Sequence, residues 1–591
     1  MRQKSLLQCL LLSVLWILFQ SCHQAETVFH PEDNLYAKLE SVLNENIRSV
    51  QELVIRQMNG ESVAYVDSFN LGKVIMYFME ESLPVSLYNI DSESIVRYPC
   101  ISIAPYGESL YWTLADDYLL NAQGNKVEVS NRAYTPSLQY VGDHWCYEVG
   151  NFVKTIDPLL LSSGTPSLSM SEDSLLSISF PTGYELRLPI MDFQYPNVPN
   201  QAFYKDIFLD AGIGLTSRKS LYAASYLNLS LEGISFSRSY ALPEEKEMQN
   251  IIIAGEVDDI NGRLLYPDGQ PRYRLLFVNG GSSTTHGKSL DEKALNNMRQ
   301  FVANGGSYVG TCAGAFFASA GYDSYSSYPY YLSAWPGVTI HTGLSDSSTG
   351  MIIEQDSPLL NYYDFGGDNY VENVRHNKVG YPAELPNNTE VLARYDYPNK
   401  EAVHLQPSIW AYKPDSHKGR VLLEGSHPEE VASGERRDLT AAMIRYALDG
   451  VGTTTLKGFL QNGKERVMDK SSEDEDPYFT KIGDLQCHHF VVSIPPDAQN
   501  IVVRVEGDTD CDMALMMRHG TFAYPDSADY YVADGGSHQE FGFQTLEEGL
   551  WYIAVQCLTT VDSTETNYGQ EYSGRTDVLN GVGYRVSITW D

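Results

Sequence analysis

The chain has 591 residues, more than one hydrophobic core needs, and its 43% apolar and 20% charged content is that of globular protein rather than a disordered chain. A formal net charge of −35 leaves no basic footprint for nucleic acid, so no nucleic-acid partner is expected, and it opposes binding to anionic lipid headgroups.

Residues 1–22 read as an export signal. Arg2 and Lys4 form a positive start, and Leu6 to Phe19 is an apolar run too short for a comfortable membrane span. The run ends Phe19-Gln20-Ser21-Cys22. A small residue before Cys resembles a bacterial lipoprotein signal, which makes Cys22 the lipidated residue. The expectation is an exported protein that meets the bacterial outer membrane or cell surface only through that anchor. A plain secretory signal is the alternative.

Residues 23–62 carry an amphipathic helix. Tyr36, Leu39, Leu43, Ile47, Val50, Val54 and Met58 recur at steps of three and four, as a helix packed on its own domain or an oligomerising coiled coil requires. Residues 63–195 change to short strands and turns. Among them are Val74–Phe78, Ile101–Ile103, Leu110–Leu114 and a hairpin of Leu175–Phe180 with Glu185–Pro189 about Thr182-Gly183. Tyr111-Trp112-Thr113-Leu114, Gly124-Asn125 and His144-Trp145-Cys146 resemble words of an N-terminal module found in bacterial surface lipoproteins. Residues 192–202, with two prolines, read as a linker.

Strands and helices then alternate over 203–452. Ile207–Leu209 reads as a strand, 217–227 as a helix, 229–236 and Ile251–Ala254 as strands. Arg274–Val278 is a continuous apolar run suited to a parallel strand buried on both faces. Ser289-Leu290-Asp291-Glu292 reads as a capping box opening a helix that stops at Gly305-Gly306. Tyr308-Val309 leads into Gly310-Thr311-Cys312-Ala313-Gly314, the Gly-x-nucleophile-x-Gly elbow with Cys as nucleophile. The helix that follows aims its first N–H groups at the sulfur and favours thiolate over thiol. A late strand, Arg420–Leu423, leads to His427-Pro428-Glu429, and a helix over 436–448 closes the domain. The fold class implied is multidomain, with a central doubly wound, flavodoxin-like α/β domain carrying Cys312 at a strand C-terminal end.

A thiol needs a base, and the base needs an orienting group. His427 and Glu429, two apart in an extended stretch, point the same way and supply both. Gly280-Gly281, after an earlier strand, permits close approach of backbone N–H donors to an oxyanion, with the N–H of Ala313 as the second donor. Arg375, His376 and His404 are further pocket candidates; His341 and His286 are lone histidines of the kind that more often serve structure.

Cys-then-His-x-Glu on late strands of one sheet resembles class I glutamine amidotransferases. Within that superfamily, Pro271–Gly281 and Gly306–Ala315 are most similar to the amidotransferase-like N-terminal domain of biotin–protein ligases. The ligase half of such proteins is absent, so biotinylation is not expected, and no ATP-binding module is present to receive ammonia. The resemblance then implies a stand-alone hydrolase of amide bonds, an amidase or peptidase acting on a small-molecule or peptide substrate through Cys312, His427 and Glu429, with neither cofactor nor metal. The alternative is an inactive surface protein that keeps the fold and binds glycan or peptide.

Residues 453–477, with Glu473-Asp474-Glu475-Asp476, read as an acidic linker. Residues 478–591 are short β-segments. Phe490–Pro495, Asp512–Arg518 and Gly549–Val555 resemble the pre-peptidase C-terminal domain, a β-sandwich appended to secreted bacterial enzymes. Asp508, Asp510 and Asp512 alternate in a way that suits a surface turn or a calcium site. Of the cysteines, Cys100 with Cys146, and two of Cys487, Cys511 and Cys557, are the local pairing options.

Overall fold

The computed structural model describes residues 31–591 apart from 60, 62, 64, 69–72, 78–81, 87–97, 108, 116, 163–166, 171–174, 190–195, 217–220, 237–241, 256–260, 346, 475–476 and 508–509. The signal segment and Cys22 therefore lie outside the described residues, as does Asp508. The chain divides into two compact units, Met1–Gln194 and Tyr195–Asp591.

In the first unit, helix α1 (Pro31–Met58) lies on antiparallel meanders, of which Ile101–Tyr106, Ser109–Leu114 and Asp117–Tyr118 form one, and Ser137–Val141, His144–Val149 and Phe152–Thr155 another. The apolar stripe of α1 is used within the unit. Leu39, Leu43, Ile47, Val50, Leu53 and Val54 join one core with Trp112, Trp145, Leu176 and Leu188. Polar side chains of α1 fasten it to the strands: Asn44 Nδ2 donates to Leu138 O at 2.9 Å, and Gln51 Nε2 to Val129 O at 2.7 Å. The hairpin about Thr182-Gly183 forms, with Leu175–Ser179 paired to Glu185–Pro189.

The second unit is built on one sheet of eleven strands. Its parallel centre is β1 (Lys205–Ala211), β2 (Leu231–Ser235), β3 (Tyr273–Val278), β4 (Ser307–Thr311) and a late strand, Val421–Glu424. Parallel pairing runs β2, β1, β3, β4 and then that late strand. Four antiparallel strands continue beyond the late strand: Pro407–Tyr412, Thr389–Asp396, Ser347–Ile353 and Tyr370–His376. Between the parallel strands run α2 (Tyr222–Tyr226), α3 (Pro243–Ala254), α4 (Ser283–Ser289), α5 (Glu292–Ala303) and α6 (Ala313–Ala318); α7 (Glu435–Leu448) follows the late strand. The central strands are buried on both faces, which is why β3 and β4 lack polar alternation.

Several expectations are corrected. Ile251–Ala254 ends helix α3, which begins with Pro243 at its first turn followed by Glu244 and Glu245. The helix over 217–227 shortens to α2, with 217–220 outside the described residues. The cap of α5 is Asp291, whose side chain accepts from Ala294 N at 2.8 Å; Ser289 instead ends α4. The acidic stretch 453–477 is no mere linker. Leu456–Phe459 and Glu465–Met468 in it are strands of the C-terminal sandwich, pairing with Cys487–Ile494 and Tyr584–Thr589.

The sandwich is not a separate body either. Its sheets of five and four strands share a continuous core with one face of the α/β sheet. Its hairpin Val561–Thr566/Gly569–Gly574 completes the large sheet by pairing Gly569 with Ile234 on β2. Arg272 Nη2 and Nε meet Asp484 at 2.6 and 3.0 Å, both side chains being 1% exposed. Cys100, Cys146, Cys312, Cys487, Cys511 and Cys557 are thiols in this structure. Among the described residues no three His, Cys, Asp or Glu gather as a metal site, and no helix is long and apolar enough to cross a membrane.

Candidate functional site

Strand β4 ends at Thr311, and the chain turns so sharply that Cys312 adopts φ 48°, ψ −104°, a region side-chain-bearing residues avoid. The glycines make the turn possible. A Cβ on Gly314 would stand 2.1 Å from Val278 O, and one on Gly310 2.5 Å from the carbonyl carbon of Gly314. Cys312 N donates to Glu424 O at 2.8 Å, tying the elbow to the end of the late strand.

His427 arrives from that same strand. Its Nδ1 lies 3.1 Å from Glu429 Oε1. The geometry differs from an extended stretch, because Pro428–Glu430 forms a 3-10 turn that folds Glu429 back under the ring. Thr311 Oγ1 donates to the same Glu429 Oε1 at 3.1 Å. Burial disfavours a charged His427 ring, but the Glu429 carboxylate and hydrogen bonding with Cys312 and Glu429 outweigh it and hold its pKa well above the usual value.

Gly280 sits between His427 and Cys312. A Cβ there would lie 2.3 Å from His427 Cε1 and 3.3 Å from Cys312 Cβ, so only glycine leaves room for both. Its loop is pinned from β1: Thr216 N donates to Gly280 O at 2.9 Å and Ser282 N to Gly214 O at 2.8 Å. Below that loop His286 Nε2 meets Asp210 Oδ2 at 2.9 Å, both fully buried. Ala313, the other expected donor, opens α6 directly after Cys312, where helix N–H groups lack intrahelical partners.

A cleft of about 260 Å³ opens here, lined by Gly214, Thr216, Gly281, Thr285, Arg375, Asn377, His427 and Glu430, with Ser282. Arg375 is thus at the site, its guanidinium 2.8 Å from Glu430 Oε2 and its carbonyl accepting from His427 N at 3.0 Å. His376 is not a lining residue. Strand alternation turns it inward, where Nε2 meets Thr342 Oγ1 at 2.9 Å and the ring packs edge-on against Tyr395. Burial, with His427 and Lys400 nearby, pushes its pKa down to about 4. His404 also lies outside the lining; its Nδ1 faces Asp396 Oδ1 at 3.6 Å. His341 stacks on Phe316 and pairs with Asp323.

Thr311, Glu424 and Glu430 were not singled out by sequence reasoning. Glu430 adjoins the His-Pro-Glu word, and Thr311 adjoins Cys312, but neither carries a spacing signal of its own. Glu424 is fully buried, and among the described residues neither carboxyl oxygen has a well-aligned hydrogen-bond donor, Ser426 being the neighbouring polar group. Burial, reinforced by the Glu429 charge and only partly offset by Ser426, holds its pKa well above the usual carboxyl range.

Residues 257–326 match the family model described as the N-terminal domain of biotin–protein ligase. The match takes in β3, the Gly280-Gly281 turn and the Cys312 elbow. A biotin–protein ligase of Schizosaccharomyces pombe is 25% identical over 221 residues, which is 33% of this chain and 33% of the ligase. The chain thus spans about a third of that relative's length. Among solved structures, a candidate GMP synthase component of Thermoplasma acidophilum aligns with 42% of this chain and 96% of its own, at 14% identity and a TM-score of 0.27. The pre-peptidase C-terminal domain of a Bacillus anthracis collagenase aligns with 23% of this chain and 100% of its own, at 15% identity and a TM-score of 0.15.

Proposed function

We propose that the chain is an exported, lipid-anchored hydrolase of amide bonds, built on a flavodoxin-like, amidotransferase-like domain, with Cys312 as nucleophile, His427 as base and Glu429 as the group that orients it. The observation that carries this reading is the convergence of Cys312, His427 and Gly280 within a few ångströms at the C-terminal ends of adjacent parallel strands, with Glu429 3.1 Å behind the ring. The parallel order of β2, β1, β3, β4 and Val421–Glu424 supports the flavodoxin-like assignment. The match to the ligase N-terminal model supports the amidotransferase-like relation.

In this mechanism the Cys312 proton passes to His427 beforehand, and the thiolate left beside the charged ring attacks the amide carbonyl. N–H groups of the Gly280-Gly281 turn and of Ala313 stabilise the negative oxygen. His427 returns the proton to the departing amine, and water, deprotonated by His427, cleaves the thioester. The raised His427 pKa suits a ring that must hold a proton between the two halves.

A second reading, a binding protein that keeps the fold and takes glycan or peptide, has one observation in its favour. Cys312 is 7% exposed, is not among the cleft-lining residues, and its sulfur rests 4.0 Å from Asn377 O. A thiol-directed activity probe separates the two. Labelling of the wild type and none of Cys312→Ala, with hydrolysis of an amide or peptide library lost in the same variant, is the expected result. Equal labelling of both, or ligand retention unchanged in Cys312→Ala with no turnover by wild type, sinks the enzyme.

A further inference from the structure

We infer that Thr311 is a positioning residue of the triad: its buried hydroxyl fixes the Glu429 carboxylate so that one oxygen, Oε1, serves His427. This inference rests on the Cys312–His427–Glu429 reading above. Three observations carry it. Glu429 Oε1 lies 3.1 Å from both Thr311 Oγ1 and His427 Nδ1. Glu429 Oε2 is buried and accepts from no group among the described residues. Thr311 is itself fully buried, with no other hydrogen bond from its hydroxyl among the described residues.

The physical consequence is that one strand sets both ends of the site. A carboxylate on a short 3-10 turn can rotate about its terminal torsion, and either oxygen could face the ring. The orphaned Oε2 gives no purchase for holding it. The Thr311 donor does, and Thr311 is bonded covalently to Cys312. Strand β4 therefore places the nucleophile and, through one hydroxyl, aligns the acid that aligns the base. A valine there would keep the shape and lose the donor.

The other charged groups around this contact are accounted for. From the late strand, Glu424 pairs in register with Thr311 and holds its proton. From Tyr370–His376, Arg375 faces Glu430, and His376 is uncharged near neutrality. On α7, which packs on the 3-10 turn, Arg436 donates to Asn373 O and Arg437 to Asp438. None of these replaces the Thr311 donor.

The test is alkylation of Cys312 by iodoacetamide in the full chain, followed by peptide mass spectrometry, at about pH 7 and about pH 9.5, alongside turnover of an amide library. In the wild type the charged His427 ring supports reaction near neutrality. Thr311→Val frees Glu429 to turn, His427 loses its partner, and the ratio of the near-neutral to the alkaline rate falls about fivefold. Thr311→Ser restores the ratio, and Thr311→Ala, which adds no bulk, repeats the loss. A ratio within twofold of wild type in Thr311→Val and Thr311→Ala overturns the inference, even if thermal stability drops, because that outcome is a packing role. Failure of Thr311→Ser to restore the ratio overturns it too. The hydrolase reading fails separately. If no amide is turned over but the ratio shifts as described, the positioning role stands and the proposed reaction falls. If Cys312 in the wild type is not alkylated at all, both fall.

Discussion

Glu232 and Glu424 are two fully enclosed carboxyls in the same unit, 3% and 0% exposed, with opposite fates. Around Glu232 both oxygens are filled. Oε1 accepts from Tyr204 at 2.9 Å, Ser563 at 2.6 Å and the Lys205 ammonium; Oε2 accepts from Tyr273 at 3.0 Å and Tyr572 at 2.7 Å. Burial alone would raise its pKa, but the donors from Lys205, Ser563 and Tyr572 bring it down to about 2. Around Glu424 no described donor is well aligned, Ser426 offsets the burial only in part, and burial pushes its pKa well above the usual range. Partners decide the charge of a buried carboxyl, and burial only sets how much the partners must supply. The Glu232 cluster, with Ser563 and Tyr572 contributed by the sandwich hairpin, fastens that hairpin to the parallel part of the sheet. The Glu424–Glu429 cluster, beside the Cys312 elbow, instead leaves carboxyl oxygens without well-aligned donors among the described residues.

The largest expected effect breaks the fastening side. Asp484→Ala strips the counter-charge from Arg272, whose side chain is 1% exposed and is left with Tyr572 as its nearest polar partner at 2.9 Å. An uncompensated buried guanidinium costs about 3–5 kcal/mol. Urea unfolding of the full chain should show a loss of that size; a loss below about 1 kcal/mol would mean that the sandwich is held by its apolar core alone.

Glu232 comes next. Its pKa is depressed in the folded chain to about 2 from an ordinary value of 4.5. Its stabilisation is therefore present above about pH 4.5 and is lost as pH falls toward 2, an amount of about 3 kcal/mol. Glu232→Gln should lose about that much at pH 7 and show a flatter dependence of unfolding free energy on pH in the acid window. An unchanged acid limb would show that the charge at Glu232 is not what the tyrosines and Lys205 are holding.

How much of this was legible in the sequence follows the range of the interaction. The elbow was legible because Gly310 answers to a contact inside one strand–turn–helix, with Gly314, whereas the close approach of Gly314 to Val278 on β3 has no local signal. His427 and Glu429 were legible as a pair, although the turn that joins them is 3-10 rather than extended. The sandwich was legible as a β-module, but its union with the α/β sheet was not. Arg272 and Asp484 are 212 residues apart, and the sheet pairing of Ile234 with Gly569 has no local signal. The acidic run at 473–476 drew attention to solvent and hid Leu456–Phe459 and Glu465–Met468, whose partners lie in distant strands. Ile251–Ala254 misled because four apolar residues fit a buried strand as well as a helix end, and the Pro243 that opens the helix lay eight residues upstream.

The smallest effect has the opposite sign and is the sharpest use of the contrast. Glu424 is a carboxyl whose folded pKa lies above its unfolded one. The folded chain then holds a proton that the unfolded chain releases above about pH 4.5, so Glu424 costs stability as pH rises through that point. Glu424→Gln keeps the shape, carries no charge in either state and removes the cost. The variant should be more stable than wild type at pH 7 and equal to it near pH 4. Glu232→Gln should be less stable at the same pH. Measured side by side in urea at both pH values, the two substitutions are the same chemical change at equal burial, and opposite signs would assign the difference to partners. If both destabilise at pH 7, Glu424 is ionised in the folded chain, and the cluster beneath Cys312 holds two negative carboxyls rather than one acid and one carboxylate.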